Sequence, residues 1–323
     1  MVRKVLVTGA SGFVGSNLCQ RLKNSGDEVY SLMFDGKKPP GTIEVKGDIT
    51  RGDSLRFPDV DVVIHLAGIL ESSHPSKEKM WKVNHQGTKN VWKEACRVGA
   101  DHFVFMSTIM VYGPKGTKEN PLQEGMVTDP TDEYGKSKLA CESFLREHSG
   151  IDKPKVCILR PPVIYGPGMN EFSSGMKTFI SIKKGVMPLV GGGRNTYNML
   201  NVDNIVEALV LASHQDKNFD IFNINEGPYT LKEVIDEISK AMGISKGYKK
   251  YPRPFLWLIT LLSSALSTIK NGPPLISWTK YRGLTSDVWS MSYEKAEEEL
   301  GYRPVVSLSK GVKKTVEYYG WKD

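Results

Sequence analysis

A chain of 323 residues, 40% hydrophobic and 24% charged, has the composition of an ordinary globular protein, with length enough for one large α/β domain and a smaller second lobe. Its net charge of +7 comes with lysines scattered among acids and no basic stripe interleaved with aromatics. That argues against a nucleic-acid surface and leaves a mildly basic face suited to an anionic substrate or an anionic membrane. The four cysteines, Cys19, Cys96, Cys141 and Cys157, lie far apart without C-x-x-C spacing, which argues against a disulfide framework or a zinc site and makes a reducing cytosol the default.

The first segment, Arg3–Gly15 (RKVLVTGASGFVG), reads as a buried strand that breaks into a glycine loop and restarts as a helix. Val5, Leu6 and Val7 suit a parallel strand covered on both faces. Gly9, Gly12 and Gly15 follow at intervals of three: a tight turn, backbone open to a pyrophosphate, and a helix free to lie close to the sheet. The new helix, carrying Phe13, Val14, Leu18 and Leu22, points the positive end of its dipole at the phosphates and stops near Gly26. Since the glycine loop begins at residue 9, no signal peptide is expected before this strand. Thr8–Gly15 resembles the TGxxGxxG loop of the extended branch of the short-chain dehydrogenase/reductase family. The resemblance implies a doubly wound parallel sheet (Rossmann type) that binds NAD or NADP. Gly9, Ser11, Gly12, Phe13, Val14 and Gly15 would be the phosphate contacts.

The second strand, Glu28–Phe34, ends where an acid would bind the adenosine ribose or a base a 2′-phosphate. Met33 and Phe34 stand at the deciding places, with Asp35 one step later and Lys37–Lys38 beyond, which favours NAD over NADP only slightly. The next strand, IEVKGDIT (43–50), resembles the family's adenine contact, with Asp48 and Ile49 in that role; Asp48 is alternatively a turn residue or helix cap. Asp61–Gly68 (DVVIHLAG) is a buried strand ending in small residues. Leu66, Ala67 and Gly68 there resemble the family's cofactor-facing signature, and His65 reads as a packed core histidine. Residues 80–98 form an amphipathic helix packed through Val83, Val91 and Trp92. Its VNxxGTxNV resembles the family's fourth helix, with Asn84 holding the helix and a water near the active site.

His102–Ser107 is a further strand, running into TIMVYG, then a polar loop (114–132) and a helix from Glu133, EYGKSKLACESFLREH. Tyr134 and Lys138 are four apart, so the helix stacks them on one face. An ammonium beside a phenol favours the phenolate and makes a usable base near neutral pH. Thr108, or its neighbour Ser107, would orient the substrate oxygen from the strand end. The resemblance gives Tyr134, Lys138 and Thr108 the catalytic roles and adds Ser107, Tyr134, Lys138, Pro161 and Val163 to the cofactor contacts. A second Y-x-x-x-K pair, Tyr318–Lys322, lacks any cofactor signature beside it. The family's dehydratases carry an Asp-Glu pair after the active-site threonine; Ile109 and Met110 stand there, so dehydration is not expected.

Val156–Gly168 (VCILRPPVIYGPG) is a strand with a proline turn, after which a substrate lobe begins. The expected dinucleotide domain is 1–168, with 195–225 returning to it; 169–194 and 226–323 form the lobe. In family members acting on nucleotide sugars an arginine near Tyr197 clamps the diphosphate; Arg194 would substitute, with Lys183–Lys184 nearby. Pro254–Ile269 is 16 residues without a charge, short of the roughly 20 that span a bilayer. It reads first as a buried helix of the lobe, then as an interfacial membrane helix or a lid over a greasy substrate. The tail from Met291 resembles the extended branch's terminal signature. No repeat or metal-ligand cluster is seen.

The leading expectation is an NAD(P)-dependent epimerase or oxidoreductase acting on a nucleoside-diphosphate sugar, cytoplasmic and homodimeric through the helices near 82–98 and 133–149. The same machinery acting on an apolar steroid-like or isoprenoid alcohol, with 254–269 as a peripheral membrane contact, stands second. A dinucleotide-sensing module without catalysis stands third.

Overall fold

Val5 and Val7 face one layer of the molecule and Leu6 the other, and this alternation repeats in every central strand. A strand covered on both faces needs no polar side, which is why the sequence shows unbroken apolar runs. The structure is a computed structural model and describes residues 2–70, 76–270, 276, 278–286 and 288–322. In chain order the first elements are β1 (Lys4–Thr8), α1 (Phe13–Asn24), β2 (Glu28–Met33), β3 (Ile43–Lys46), β4 (Val62–His65), α2 (Lys77–Trp81), α3 (Gly87–Arg97), β5 (His102–Met106), α4 (Glu133–His148) and β6 (Lys155–Arg160). Then follow β7 (Val163–Tyr165), α5 (Ser174–Lys183), β8 (Met187–Leu189), β9 (Met199–Asn201), α6 (Val202–Ala212), β10 (Phe219–Asn223), α7 (Leu231–Met242), β11 (Tyr248–Lys250), α8 (Arg253–Lys270), α9 (Trp278–Thr285), α10 (Glu294–Leu300) and α11 (Leu308–Tyr318).

Seven strands form one parallel sheet in the order β10-β6-β5-β4-β1-β2-β3. The chain winds outward from β1 to β3, then returns to β4 and winds the other way. The reversal between β1 and β4 opens a crevice at the carboxyl ends of the strands, where open α/β sheets bind ligands. Helices α1 and α6 cover one face through Leu18, Leu22, Ile205 and Leu209. Helices α3 and α4 cover the other through Val91, Trp92, Cys141 and Leu145. The expected doubly wound α/β fold is the one observed.

A separate apolar core lies beyond β6. It gathers Phe179 and Ile182 of α5, Met199 of β9, Val234, Ile235 and Ile238 of α7, and Val312 and Val316 of α11. Two short parallel pairs, β7–β9 and β8–β11, frame it. The start of α7 carries a full capping box between Thr230 and Glu233, and its end is closed by Gly243 in the left-handed region.

The helix expected over 254–269 exists as α8, but it is not buried. Phe255, Trp257, Leu258, Leu261, Leu262 and Leu266 are all exposed, whereas Leu256 and Thr260 are buried. An uncharged run looks the same in sequence whichever face packs, so burial could not be read from it. Among the described residues no helix is long and apolar enough to cross a membrane.

Phe103 carries the packing between β5 and α3: it is fully buried and meets Trp92 edge-on at 5.2 Å. Phe103→Ala should lower the unfolding free energy by about 3–5 kcal/mol, read from urea melts, through lost burial and the cavity left behind.

Candidate active site

At the end of β1 the chain turns through Gly9, whose φ of +68° few side-chain-bearing residues adopt. A Cβ on Gly9 would lie 2.8 Å from the Ala67 amide nitrogen, and one on Gly15 only 2.2 Å from the Gly9 carbonyl oxygen. The loop, the β4 end and the first turn of α1 therefore approach one another as only glycine permits. Gly12 caps α1 without a side chain, and no acid stands in the first turn. The leading amides of α1 thus face the crevice with their dipole uncompensated, a site fitted to an anion.

His65 is buried beneath this loop. Its Nδ1 lies 2.6 Å from Thr8 Oγ1 and its Nε2 lies 2.9 Å from Thr88 Oγ1, while Thr88 donates to the Asn84 carbonyl at 2.6 Å. Since the Thr88 hydrogen is spent, Nε2 must carry the imidazole proton and Nδ1 must accept from Thr8. Burial, with Lys138 as a lesser cause, pushes its pKa down to about 3. His65 is a neutral core residue, as expected, and it ties β1 and β4 to α3. Asn84 sits in a π-helical turn, Lys82–Gln86, where its amide clamps both backbone groups of Ile69 and donates to Ser137 at 3.0 Å.

Tyr134 and Lys138 lie on successive turns of α4, which starts at the Asp132 cap. Gly135 fits this start against the end of β5: a Cβ there would meet the Met110 carbonyl at 2.8 Å. Lys138 is 3% exposed; its ammonium donates to the Met106 carbonyl at 2.8 Å and lies 4.6 Å from the centre of the Phe105 ring. A Cβ on Gly68 would come within 3.5 Å of that ammonium, which puts it between the ends of β4 and β5. Thr108 caps the short turn after β5. Its hydroxyl accepts from the Met110 amide at 3.3 Å and keeps its own hydrogen to donate.

The electrostatics depart from the expected activated phenol. Burial raises the Tyr134 pKa well above its ordinary value, with Asp132 and Cys141 adding to the shift. Burial also lowers Lys138, to about 8. The ammonium is tethered to the Met106 carbonyl and does not offset the phenol's desolvation. Tyr134 therefore stands protonated at neutral pH, and only positive charge brought beside it would loosen its proton.

Behind this pair lies a clamp that spacing alone did not reveal. Glu142, one further turn along the Tyr134–Lys138 face, is 3% exposed and accepts from Ser107 Oγ at 2.5 Å and from Arg160 Nε at 3.0 Å and Nη2 at 2.5 Å. Arg160 also donates to Tyr112, whose hydroxyl reaches Asn223 at 2.9 Å. The Ser107 hydroxyl hydrogen is thus committed to Glu142, and its oxygen keeps only the capacity to accept. The Pro161 carbonyl accepts from the Ile109 amide at 2.9 Å, holding the β6 end, with Val163, beside the Thr108 turn.

Other expected contacts are placed unevenly. Asp48 Oδ1 accepts from both the amide and the hydroxyl of Thr50 at 2.8 Å, a local turn that occupies this oxygen. Ile49 is buried against Gly87. Asp35 is exposed just beyond β2, behind a Phe34 that is 74% exposed. Tyr197 turns into the lobe core with its hydroxyl 2.7 Å from Thr178 Oγ1, so it does not join Arg194. Arg194 instead lines a cavity of about 270 Å³ with Asn195, Thr285 and Arg253, the first residue of α8. Asn195 donates to the Gly283 carbonyl at 2.6 Å, and its own oxygen is buried without a partner among the described residues. Tyr318, of the second tyrosine–lysine pair, is 62% exposed at the end of α11. No group of metal-ligating side chains occurs among the described residues.

Residues 5–225 match the model of the NAD dependent epimerase/dehydratase family, and the chain belongs to that family. It is 25% identical to a UDP-glucose 4-epimerase of Vibrio cholerae, over 99% of this chain and 96% of that protein. It is 26% identical to a decarboxylating sterol-4-alpha-carboxylate 3-dehydrogenase of Candida albicans, over 98% of this chain and 97% of the relative. Among solved structures, MoeE5 in complex with UDP-glucuronic acid and NAD superposes with a TM-score of 0.77 at 22% identity, covering 98% of this chain and 99% of that one. The protein is thus an enzyme of the epimerase and oxidoreductase type, in a family described as NAD dependent. The side-chain-free cradle of Gly9, Gly12 and Gly15 and the uncapped start of α1 fit the dinucleotide's pyrophosphate.

Lys138 binds fewer protons folded than unfolded between about pH 8 and 10.5, so its contribution makes stability rise with pH across that window. Relative to Lys138→Met, the protein without added cofactor should gain about 2 kcal/mol between roughly pH 7 and 9.5, measured by urea unfolding. Glu142→Ala leaves the Arg160 charge buried and unpaired and should cost about 3–5 kcal/mol. Part of that loss should return in the Glu142→Ala, Arg160→Met double variant, measured in the same way.

Proposed function

We propose that the protein is an NAD-dependent epimerase or oxidoreductase that transfers hydride at a secondary alcohol or ketone carbon of a nucleoside-diphosphate sugar. One observation carries the reading: α4 presents Tyr134 and Lys138 along one face, against the ends of β4 and β5 and beside the Thr108 turn. NAD, when bound, supplies the hydride acceptor and donor. Thr108 donates to the substrate oxygen and fixes its position. Tyr134 gives its proton to that oxygen as a carbonyl becomes an alcohol, and takes a proton back when the alcohol is oxidised. Lys138 holds ribose hydroxyls, and the positive charge that lets the phenolate form would arrive with oxidised NAD. Ile109 and Met110 after Thr108 offer no acid or base for eliminating water.

The diphosphate is assigned to the lobe cavity, which Arg194 and Arg253 both line, the Arg253 guanidinium being held there by the Thr285 carbonyl. The UDP-glucose 4-epimerase relative supports a nucleotide sugar. A second reading, the same chemistry on an apolar alcohol, is favoured by the exposed apolar face of α8 and by the sterol dehydrogenase relative. A panel of UDP- and dTDP-sugars and sterols, scored by NADH absorbance and product epimers, separates the two.

Tyr134→Phe removes the phenolic hydroxyl and keeps the ring. Turnover should fall by roughly 10²–10⁴-fold, while the NAD-induced rise in melting temperature stays near that of the parent. Unchanged turnover would remove Tyr134 from the mechanism.

A further inference from the structure

Helix α8 is built inside out. Its outward positions are Phe255, Trp257, Leu258, Leu261, Leu262 and Leu266, all exposed. The positions turned toward the protein include Thr260, fully buried, and Ser263, 9% exposed. The hydroxyls are satisfied on the helix itself or by its neighbour: Thr260 donates to the Leu256 carbonyl at 2.9 Å, and Ser263 accepts from the Ile276 amide at 3.2 Å. A surface helix facing water carries its polar residues outward. This helix keeps Thr260 and Ser263 inside beside Leu256 and sets a largely apolar strip outside, the arrangement suited to an apolar surrounding medium. Trp278 of α9 extends the strip, 42% exposed and 6.5 Å from the Trp257 ring.

The charge around the strip is as one-sided as its hydropathy. Between Glu237 and Asp287 the sequence holds no acidic residue and eight lysines and arginines, against a net charge of +7 for the whole chain. The surplus that looked scattered is therefore confined to this segment, and the remainder is close to neutral. Lys246, Lys249, Lys250 and Arg253 are exposed on the approach to α8. A second copy meeting this face about a two-fold axis would bring like charges together at the rim. Anionic lipid headgroups would instead complement the basic rim while the acyl boundary takes the tryptophans and leucines.

We propose that α8, with Trp278 of α9, docks the enzyme onto the surface of an anionic bilayer. The helix lies in the interface plane rather than across it: its 18 residues make about 27 Å, and it does not qualify as a span. Because Arg253 both opens α8 and lines the cavity with Arg194, docking brings that cavity to the headgroup layer. The docking does not depend on which substrate the enzyme takes.

Co-sedimentation of the full chain with phosphatidylcholine vesicles, with and without phosphatidylglycerol, tests the proposal. The protein should pellet with the anionic vesicles and lose roughly tenfold or more of its apparent partitioning on plain phosphatidylcholine or in high salt. Replacing Leu261→Glu and Leu262→Glu together should abolish pelleting, and Lys249→Glu with Lys250→Glu should weaken it roughly tenfold. A retained NAD-induced thermal shift certifies that these variants fold. A protein that stays in the supernatant with both vesicle types overturns the proposal, as does a leucine variant that pellets like the parent. Lipid-free dimers that the leucine variant converts to monomers overturn it in favour of a second copy on this face.

Discussion

One carboxylate decides whether the crevice has a working shape. Glu142 reaches from α4 to the ends of two neighbouring strands, taking the Ser107 hydroxyl at the end of β5 and the Arg160 guanidinium at the end of β6. Both partners are almost fully enclosed, so neither charge recovers its hydration if the other leaves. The residues arranged around the clamp are those of the candidate site: Tyr134 and Lys138 on the same helical face, Thr108 next to Ser107, and Pro161 next to Arg160. A buried ion pair of this kind is a weak source of net stability. Its value here is registry, because only one axial and rotational setting of α4 satisfies both strand ends at once.

That setting has an electrostatic consequence. Lys138 is buried with its ammonium on the Met106 carbonyl and over the Phe105 ring, and its affinity for a proton falls. Tyr134 is desolvated by the same packing and holds its proton more tightly. The two shifts oppose the ion-pair-like state in which lysine is charged and tyrosine is not. At neutral pH the site therefore holds a protonated phenol beside a lysine that is easier to deprotonate than one in water, and both respond strongly to a charge delivered into it. A solvent-exposed pair at the same helical spacing would be screened and would respond weakly.

Much of this was legible in the residues and some was not, for physical reasons. Apolar runs such as Val5–Val7 report burial on two faces directly, so the parallel sheet could be read from them. The glycine spacing reports close backbone approach, and the contacts a Cβ would make at Gly9 and Gly15 bear that out. The i,i+4 relation of Tyr134 and Lys138 is helix geometry. Glu142 falls on the same face one turn later, but its partners come from strands distant in sequence, and no local pattern names them. Whether a charged neighbour or desolvation governs a phenol depends on which atoms crowd it, and the sequence does not list those atoms. Tyr197 illustrates the same limit, since its hydroxyl found Thr178 within the lobe rather than the cavity beside Arg194.

The orientation of α8 was hidden by an average. A segment free of charge for 16 residues has one hydropathy whether its leucines face in or out, and a net charge taken over 323 residues cannot show where the surplus lies. The lobe core shows why the outward setting is tolerated by the fold. That core is closed by α5, α7 and α11, with Phe179, Val234, Ile235 and Val312 fully buried and no member drawn from α8. The helix is therefore not needed to seal the lobe, and its leucines are not withheld from a core that lacks them. An apolar strip that the fold can spare, approached through the exposed Lys246, Lys249, Lys250 and Arg253 and joined at Arg253 to the cavity that Arg194 also lines, is a surface whose composition answers to something outside the chain.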